Sequence, residues 1–362
     1  MSLDDARAVI ERAVGARVFP AAAIEVGSRD GAIWSEGHGT LTFDANAAPV
    51  TDATIFDLAS LTKPIATTTV LMELVRAQAV SLDAPVAGFF DDWRGVDREQ
   101  VTVRDLLEHA SGLPARLVDL PPGTRREFEH EIGAIRLEYE PRTRSVYSDL
   151  GFILLGFLAA DVGGAPLDVL FEGIAVRLTP DTTEFNREAR RRDRGAQLQP
   201  NRDRGLIFTV AVSDRPLTAP TEPMDGDPRR GRRLVGEVHD NYAAALGGVA
   251  GHAGLFGTAP AVGAFARAMM RGDEMVRLFT ARSTVPGSSR ALGWDTMLPT
   301  SSCGTRMSPD AFGHVGFTGT SLWIDPARDR YFVLLTNRVC GGGTLDQMRE
   351  VRRAFHDALG DV

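Results

Sequence analysis

Lysine is almost missing from this chain of 362 residues. Lys63 is the only one, so the other 39 of the 40 Lys and Arg residues are arginine. Arginine stays protonated in proteins, whereas burial and neighbouring groups can shift a lysine ammonium toward the neutral amine. Keeping one lysine in an arginine-rich chain therefore indicates a task in proton transfer. Because Lys63 follows Ser60 by three residues, we infer that Ser60 is a nucleophile that Lys63 activates.

Cysteine is also scarce, since Cys303 and Cys340 are the only two. Two thiols in a chain of this length cannot form a disulfide framework, and we expect both to be free. The formal net charge is −8, which gives no basis for attraction to nucleic acid or anionic membranes. Basic clusters at 190–192 and 229–233 lie among acidic residues, so we interpret them as solvated loops.

Long apolar runs are absent as well. The longest apolar stretch, residues 151–160, is too short to span a bilayer. The acidic N-terminus lacks the basic segment and apolar run of a signal peptide. The sequence therefore predicts no membrane span and a cytoplasmic location, unless a trimmed export signal once preceded it.

Strand-like runs lie at both ends of the chain. Residues 21–27 and 32–38 are joined through Asp30-Gly31, which is a hairpin signal. Residues 314–324 and 331–336 flank a second turn, and most of the sequence between these ends has helical periodicity. This order predicts an α+β fold: the N- and C-terminal segments form an antiparallel sheet flanked by helices, with a mostly helical region inserted.

The same order predicts two domains. Residues 1–62 and 245–362 would form a discontinuous α/β sheet domain, and residues 63–244 a mostly helical domain. The active site is expected between them. The segment 177–233 has no readable pattern.

Three short motifs follow one another along the chain: Ser60-x-x-Lys63, Tyr147-Ser148-Asp149 and His314-Val315-Gly316. Each is weak alone, but one lysine and four tyrosines leave few chance matches. Their order resembles the serine β-lactamase and penicillin-binding-protein superfamily, which carries S-x-x-K, then Y-x-N or S-x-N, then K-T-G or H-x-G. The branch of class C β-lactamases, D-alanyl-D-alanine carboxypeptidases and family VIII esterases is most similar.

Longer stretches, two of which include the second and third motifs, resemble the same branch. They are Val103–Pro114, Tyr147–Gly156, Gly247–Thr258 and Gly313–Pro326. The resemblance covers most of residues 20–340 and fades over 177–220. It implies the α/β sandwich of the β-lactamase and transpeptidase fold.

The resemblance implies that Ser60 forms an acyl-enzyme while Lys63 and Tyr147 share the roles of general base and acid. The backbone N–H groups of Ser60 and Phe317 would form the oxyanion hole, with Phe317 following the His-x-Gly motif on its strand. His314 would face the site and hydrogen-bond Tyr147 or orient the substrate. The resemblance implies no cofactor and no metal.

The expected substrate-binding residues are Asp149, His314, Gly316 and His252. Asp149 stands where β-lactamases usually have Asn, and a carboxylate accepts hydrogen bonds but donates none. His314 and Val315 replace a Lys and a Thr that help hold the substrate's carboxylate. These departures favour a small ester or amide over a β-lactam.

Several functions stay open at this point. A carboxylesterase is the first, and a β-lactamase or D-alanyl-D-alanine carboxypeptidase is the alternative. An inactive relative that binds a cell-wall fragment is a third. All three take a small molecule as partner, and the oligomeric state is not predicted.

Overall fold

The computed structural model describes residues 2–117, 121–178 and 205–360. Its strands are β1 (Ala21–Ser28), β2 (Gly31–Gly39), β3 (Phe56–Asp57), β4 (Phe256–Gly257), β5 (Asp295–Thr296), β6 (Phe312–Val315), β7 (Ser321–Asp325) and β8 (Arg330–Thr336). Six of them form one antiparallel sheet in the order β2-β1-β8-β7-β6-β5. The first strand of the chain thus pairs with the last, which confirms the predicted sheet of N- and C-terminal segments.

Helices fill most of the remaining sequence. They are α1 (Leu3–Gly15), α2 (Thr69–Arg76), α3 (Val103–Leu107), α4 (Arg125–Ala134), α5 (Asp149–Gly163), α6 (Leu167–Leu178), α7 (Asn241–Ala245), α8 (Ala259–Met270), α9 (Glu274–Thr280) and α10 (Leu345–Ala358). Most begin after a Ser, Thr or Asp whose side chain accepts a first-turn N–H, such as Ser148 before α5 and Thr344 before α10. These caps fix where each helix starts.

The two faces of the sheet bury alternate residues of the same strand. Along β8, Val333 and Leu335 face the large core beneath α5 and α8, whereas Phe332 and Leu334 face a second core beneath α1 and α10. Successive side chains of a strand point to opposite faces, so a sheet covered on both sides shows continuous apolar runs. The layers are therefore helix, sheet and helix.

Helix α5 lies in the large core and is apolar around its whole circumference. Within the described residues, no single helix has the length and composition needed to cross a membrane. In the described part of the chain, one bent pair of helices meets both criteria together, namely α5 and the stretch Leu167–Val176, at an angle of 74°. The expected cytoplasmic location is not addressed by these observations and stays a prediction.

The structure corrects the prediction of one strand over residues 314–324. This run forms two strands, β6 and β7, joined by a turn in which the Gly316 N–H donates to Thr320 O at 2.8 Å. Gly319 supplies the positive φ of 109° that the reversal requires. Phe317 consequently lies in the turn and not on the strand.

The predicted division into domains 1–62 with 245–362 and 63–244 stays a prediction. Cys303 and Cys340 are both free and buried. Residues 190–192 lie outside the described residues. The arginines of the 229–233 cluster pair with carboxylates, in the pairs Arg229–Asp227, Arg230–Asp225, Arg232–Glu237 and Arg233–Asp44.

Candidate active site

A strained turn carries Ser60. The chain leaves β3 and enters a short 3₁₀ helix at residues 59–61 with Ala59 at a φ of +48°, a region that residues other than glycine rarely adopt. Asp57 holds this turn, since its carboxylate accepts the Ala59 N–H at 2.8 Å and the His239 N–H at 2.6 Å. Such strain persists where the surroundings fix it and is common at active sites.

The serine hydroxyl has two close polar neighbours. The Tyr147 hydroxyl donates to Ser60 Oγ at 2.7 Å, and Lys63 Nζ donates to the same oxygen at 3.1 Å. Lys63 begins a π-helical turn over residues 63–68, so the predicted helix after Ser60 opens with 3₁₀ and π turns before α2. The structure thus brings Ser60, Lys63 and Tyr147 together.

The Lys63 ammonium is completely buried and has two further acceptors. It donates to Asp149 Oδ1 at 2.8 Å and to the His252 carbonyl at 3.1 Å. Burial alone would lower the pKa of Lys63, but attraction to Asp149 and Tyr147 outweighs it and raises that pKa above its usual value. The pKa shift is opposite to the one the lone lysine suggested, so Lys63 is a cation in the resting site.

Asp149 bridges this lysine to a second cation. Its other oxygen accepts from Arg116 Nη1 at 3.0 Å, and the same nitrogen lies 2.8 Å from Asp240 Oδ2. Asp240 Oδ1 is in turn 2.7 Å from His252 Nε2. Although burial opposes its charge, Lys63 and the neighbouring cations hold the pKa of Asp149 below its usual value. Both carboxylate oxygens of Asp149 are therefore engaged inside the protein.

Tyr147 is a neutral phenol in this setting. Burial raises the pKa of Tyr147, the Asp149 charge raises it further, and Lys63 only partly offsets both. The His109 ring lies against Tyr147 at 4.8 Å between centroids. His109 Nδ1 accepts the Ser148 N–H at 3.1 Å, which fixes the orientation of that ring next to Tyr147.

His314 faces the site as a neutral imidazole. Its Nδ1 lies 2.8 Å from the Val315 carbonyl, so Nδ1 carries the proton and Nε2 is an acceptor. Burial holds the pKa of His314 well below its usual value, and the nearby charges of Arg290 and Lys63 add to this. Its ring lies 6.1 Å from that of Tyr147, and within the described residues Nε2 has no hydrogen-bond partner. It therefore does not hydrogen-bond Tyr147.

The β6–β7 turn is tied directly to the serine turn. Thr318 Oγ1 donates to Asp57 O at 2.8 Å, and Thr320 Oγ1 donates to Leu58 O at 3.0 Å. A Cβ on Gly316 would lie 2.6 Å from Leu58 O, which is closer than real contacts allow. The lack of a side chain at Gly316 therefore allows the β6–β7 turn to lie directly against the backbone of the serine turn.

Two backbone N–H groups are available beside the Ser60 side chain. The N–H groups of Ser60 and Phe317 donate to no acceptor in the described part of the chain. Arg352 of α10 holds the turn that carries Phe317 by donating to Gly316 O at 2.7 Å and Thr320 O at 2.9 Å. The two donors therefore lie on segments that are fixed against each other, as an oxyanion hole requires.

A glycine-rich loop sets the position of His252. A Cβ on Gly251 would lie 2.8 Å from the Gly156 backbone nitrogen of α5, so only glycine permits this approach. A Cβ on Gly254 or Gly257 would also clash, whereas Gly247 and Gly248 have open space around them and instead take positive φ values. The close approach of Gly251 places the carbonyl of the next residue against Lys63.

A cavity of about 440 Å³ opens over the serine. It is lined by residues of all three motifs and by others that include Ala59, Arg116, Met224, His239, Asp240, His252, Arg290, Phe317 and Leu345. All expected site residues lie at or beside it. Sequence reasoning missed Arg116, His239, Asp240 and Arg290, because no local pattern marks them.

Comparison with known proteins places the chain in a family. The model of the family described as Beta-lactamase matches residues 6–355, which is nearly the whole chain. The chain belongs to the beta-lactamase family. It is therefore a serine hydrolase of the β-lactamase-related group, as the three motifs indicated.

Several relatives of this β-lactamase family member have curated names. One is a putative D-alanyl-D-alanine carboxypeptidase of Escherichia coli strain K12, 31% identical over 326 residues, which cover 80% of this chain and 70% of the relative. Another of the same name, from Salmonella gallinarum, is 27% identical over 335 residues, covering 82% and 72%.

Two solved structures show the same fold. One is EstCE1, a hydrolase with promiscuous acyltransferase activity, with a TM-score of 0.73, 18% identity and 98% coverage of both chains. The other is a class C β-lactamase from Rhodobacter sphaeroides, with a TM-score of 0.73, 19% identity and 98% coverage of both chains. At this identity they support the fold alone.

Proposed function

We propose that this β-lactamase family member hydrolyses small carboxylic esters or amides through an acyl-enzyme on Ser60 and prefers esters to β-lactams. One observation carries the proposal: Ser60 Oγ lines a cavity of about 440 Å³ with Tyr147 OH at 2.7 Å and Lys63 Nζ at 3.1 Å. Cavities of this size hold small molecules.

In the proposed acylation, Ser60 Oγ bonds to the substrate carbonyl carbon. The Tyr147 hydroxyl first turns its proton from Ser60 Oγ to the leaving group. It then takes the Ser60 proton on its oxygen as it gives its own to the leaving alkoxide or amine, so the net charge of the site does not change. The Lys63 ammonium stabilises the negative charge that develops during this transfer. Water then attacks the ester on Ser60, and the same relay in reverse releases the acid and regenerates the hydroxyl.

The substrate preference follows from what the site offers. Asp149 has both oxygens engaged and carries no N–H for a substrate amide to meet. Val315 has no hydroxyl, and His314 is neutral. The groups that hold a β-lactam or peptide in related enzymes are thus missing from these positions, whereas an ester needs only the nucleophile, the oxyanion donors and an apolar wall.

A D-alanyl-D-alanine carboxypeptidase is the second candidate, and Arg290 favours it. Its guanidinium lies 5.4 Å from the centroid of the Tyr147 ring and lines the cavity, so it offers a cation to a substrate carboxylate. Several relatives bear the name of this activity.

A substrate panel separates the candidates. A short p-nitrophenyl ester, a chromogenic cephalosporin and a D-Ala-D-Ala peptide are compared by kcat/KM, with Ser60→Ala as the inactive control. We expect the ester to rank first. If the peptide or the cephalosporin ranks first, the ester proposal is wrong. A loss of peptide turnover in Arg290→Gln with ester turnover unchanged would then support the carboxypeptidase.

A further inference from the structure

We propose that Arg116 is a positioning residue of this active site: by holding the second oxygen of Asp149, it keeps that carboxylate turned toward Lys63 and closed to the substrate. Arg116 belongs to none of the three motifs. This inference rests on the proposed function, because it concerns how Ser60 is activated.

Arg116 is connected to Lys63 through Asp149, which contacts both. Its Nη1 bridges Asp149 and Asp240 at 3.0 and 2.8 Å, and its Nη2 donates to Asn241 Oδ1 at 2.7 Å. The guanidinium carbon lies 4.0 Å from the centroid of the Tyr242 ring. A side chain held by three polar partners and one aromatic face is fixed, and it fixes the carboxylates in turn.

Asp149 needs such a partner because it is buried. Its side chain is 10% exposed, and one cation can satisfy only one of its two oxygens in this arrangement. The groups that face it from the surrounding segments are Lys63, Arg116, Tyr147, Asp240 and His252. Of these, Lys63 and Arg116 are the cations in contact with its oxygens, one on each.

Two consequences follow from the loss of Arg116. The pKa of Asp149 should rise, because one of two contacting cations is gone and burial then disfavours the carboxylate more strongly. A protonated Asp149 would be free to turn, and Lys63 would keep the His252 carbonyl but lose the carboxylate that helps to hold it 3.1 Å from Ser60 Oγ. A purely structural arginine would lower stability without moving the pH profile of the reaction.

Arg125 is a matched control. It also bridges two carboxylates, with Glu129 at 2.7 Å and Asp161 at 2.8 Å, and its guanidinium carbon lies 4.8 Å from the Phe157 ring centroid. It does not line the Ser60 cavity. Arg125→Gln therefore tests the loss of a comparable surface network without the catalytic consequence.

The experiment measures the rate of fluorophosphonate labelling of Ser60 from pH 5 to 9, followed by intact mass, for the full chain. We expect Arg116→Gln to move the acid limb of the rate profile up by about one pH unit or more. Arg116→Lys should recover most of the profile, and Arg125→Gln should match the wild type. In the Asp149→Asn background, adding Arg116→Gln should change the rate less than about twofold, since the residue acts through Asp149.

The outcomes are distinct. If wild-type Ser60 takes no label, the proposed function fails and this inference fails with it. If the wild type is labelled but Arg116→Gln keeps the profile of Arg125→Gln, only the inference is overturned. Equal effects of Arg116→Gln with and without the Asp149→Asn change would also overturn it. Thermal unfolding of each variant confirms that the compared proteins are folded.

Discussion

At the scale of single residues, Asp149 determines the charge of the groups around Ser60, the proposed nucleophile. A fully buried lysine would normally lose its proton, and the sequence pointed to that outcome. The carboxylate 2.8 Å away reverses it and also discourages ionisation of Tyr147. The resting site thus holds an ammonium, a carboxylate and a neutral phenol around Ser60. Proton transfer in such a site is best done by a hydroxyl that accepts one proton while giving another.

Tyr147→Phe tests that relay. The variant keeps the ring between His109 and Lys63 but removes the hydroxyl that lies 2.7 Å from Ser60 Oγ. We expect acylation to slow by at least ~10², the usual size of a general acid–base contribution. Burst kinetics with a p-nitrophenyl ester measure the acylation step.

Tyr139→Phe is the control for that variant. This substitution also removes a hydrogen-bonded hydroxyl, since the Tyr139 OH donates to the His109 carbonyl at 3.0 Å. The Tyr139 hydroxyl does not contact Ser60. The acylation rate of this variant should stay within about twofold of the wild type. A Tyr147→Phe enzyme that acylates as fast as Tyr139→Phe would contradict the relay.

At the scale of elements, the site depends on how closely the β6–β7 turn approaches the serine turn. Three contacts tie them: the two threonine hydroxyls of the turn bind the carbonyls of Asp57 and Leu58, and Gly316 leaves no room between the backbones. The N–H groups of Ser60 and Phe317, the expected oxyanion donors, lie one on each side of this junction. Its spacing therefore sets the distance between them.

Gly316→Ala tests the junction. The added Cβ would meet Leu58 O at 2.6 Å and also the Thr320 hydroxyl, so the turn must move away from Ser60. We expect a loss of about 1–3 kcal/mol in the free energy of unfolding from overpacking. The acylation rate should fall by about tenfold or more, because one displaced oxyanion donor costs ~10²–10³ in comparable enzymes.

Gly173→Ala supplies the comparison. Gly173 is an exposed position in α6, and a Cβ there meets nothing within 4 Å. Alanine should stabilise that helix by roughly 0.5–1 kcal/mol and leave acylation unchanged. Urea unfolding and burst kinetics on both variants check the pair of expectations. An unchanged acylation rate in Gly316→Ala would show that the spacing of the turns is not critical.

At the scale of the whole molecule, the sequence predicts secondary structure that has a local periodicity and site residues that belong to a motif. The strand-like runs at both ends of the chain and the helical periodicity between them were sufficient for the fold. The three motifs singled out Ser60, Lys63 and Tyr147, whose side chains lie together in the structure. One strand was predicted over 314–324 because the residues of the turn between β6 and β7, apart from two glycines, are compatible with β structure. The proposed catalytic roles of these residues stay predictions.

The charges around the site could not be predicted in the same way. Lys63 and Asp149 are 86 residues apart, and Arg116 and Asp240 are 124 apart. No period or motif links such positions, so their pairing appears only when the chain is folded. The pKa of Lys63 is raised and not lowered because Lys63 pairs with Asp149.

Buried histidines give the whole molecule a pH dependence of stability. Burial lowers the pKa of His356 to about 3 and that of His239 to about 4, and it holds those of His109 and His314 well below the usual value. An unfolded histidine titrates near 6.5, so the unfolded chain binds more protons between those values. The contribution of these histidines to the free energy of unfolding is therefore fully present above about pH 6.5 and is lost as the pH falls below it. Asp57 acts in the opposite direction, since burial raises its pKa to about 6.

His356→Gln isolates one of these contributions away from the active site. His356 is buried with its Nε2 3.2 Å from Ser321 Oγ, and glutamine can keep that hydrogen bond without binding a proton. Well below pH 6.5, each such histidine adds about 1.4 kcal/mol per pH unit to the slope of unfolding free energy. Urea unfolding from pH 5 to 7.5 should show a slope in His356→Gln that is smaller by nearly that amount at the acid end and equal to the wild type at the alkaline end. Equal slopes in the wild type and His356→Gln would mean that His356 is protonated in the folded state.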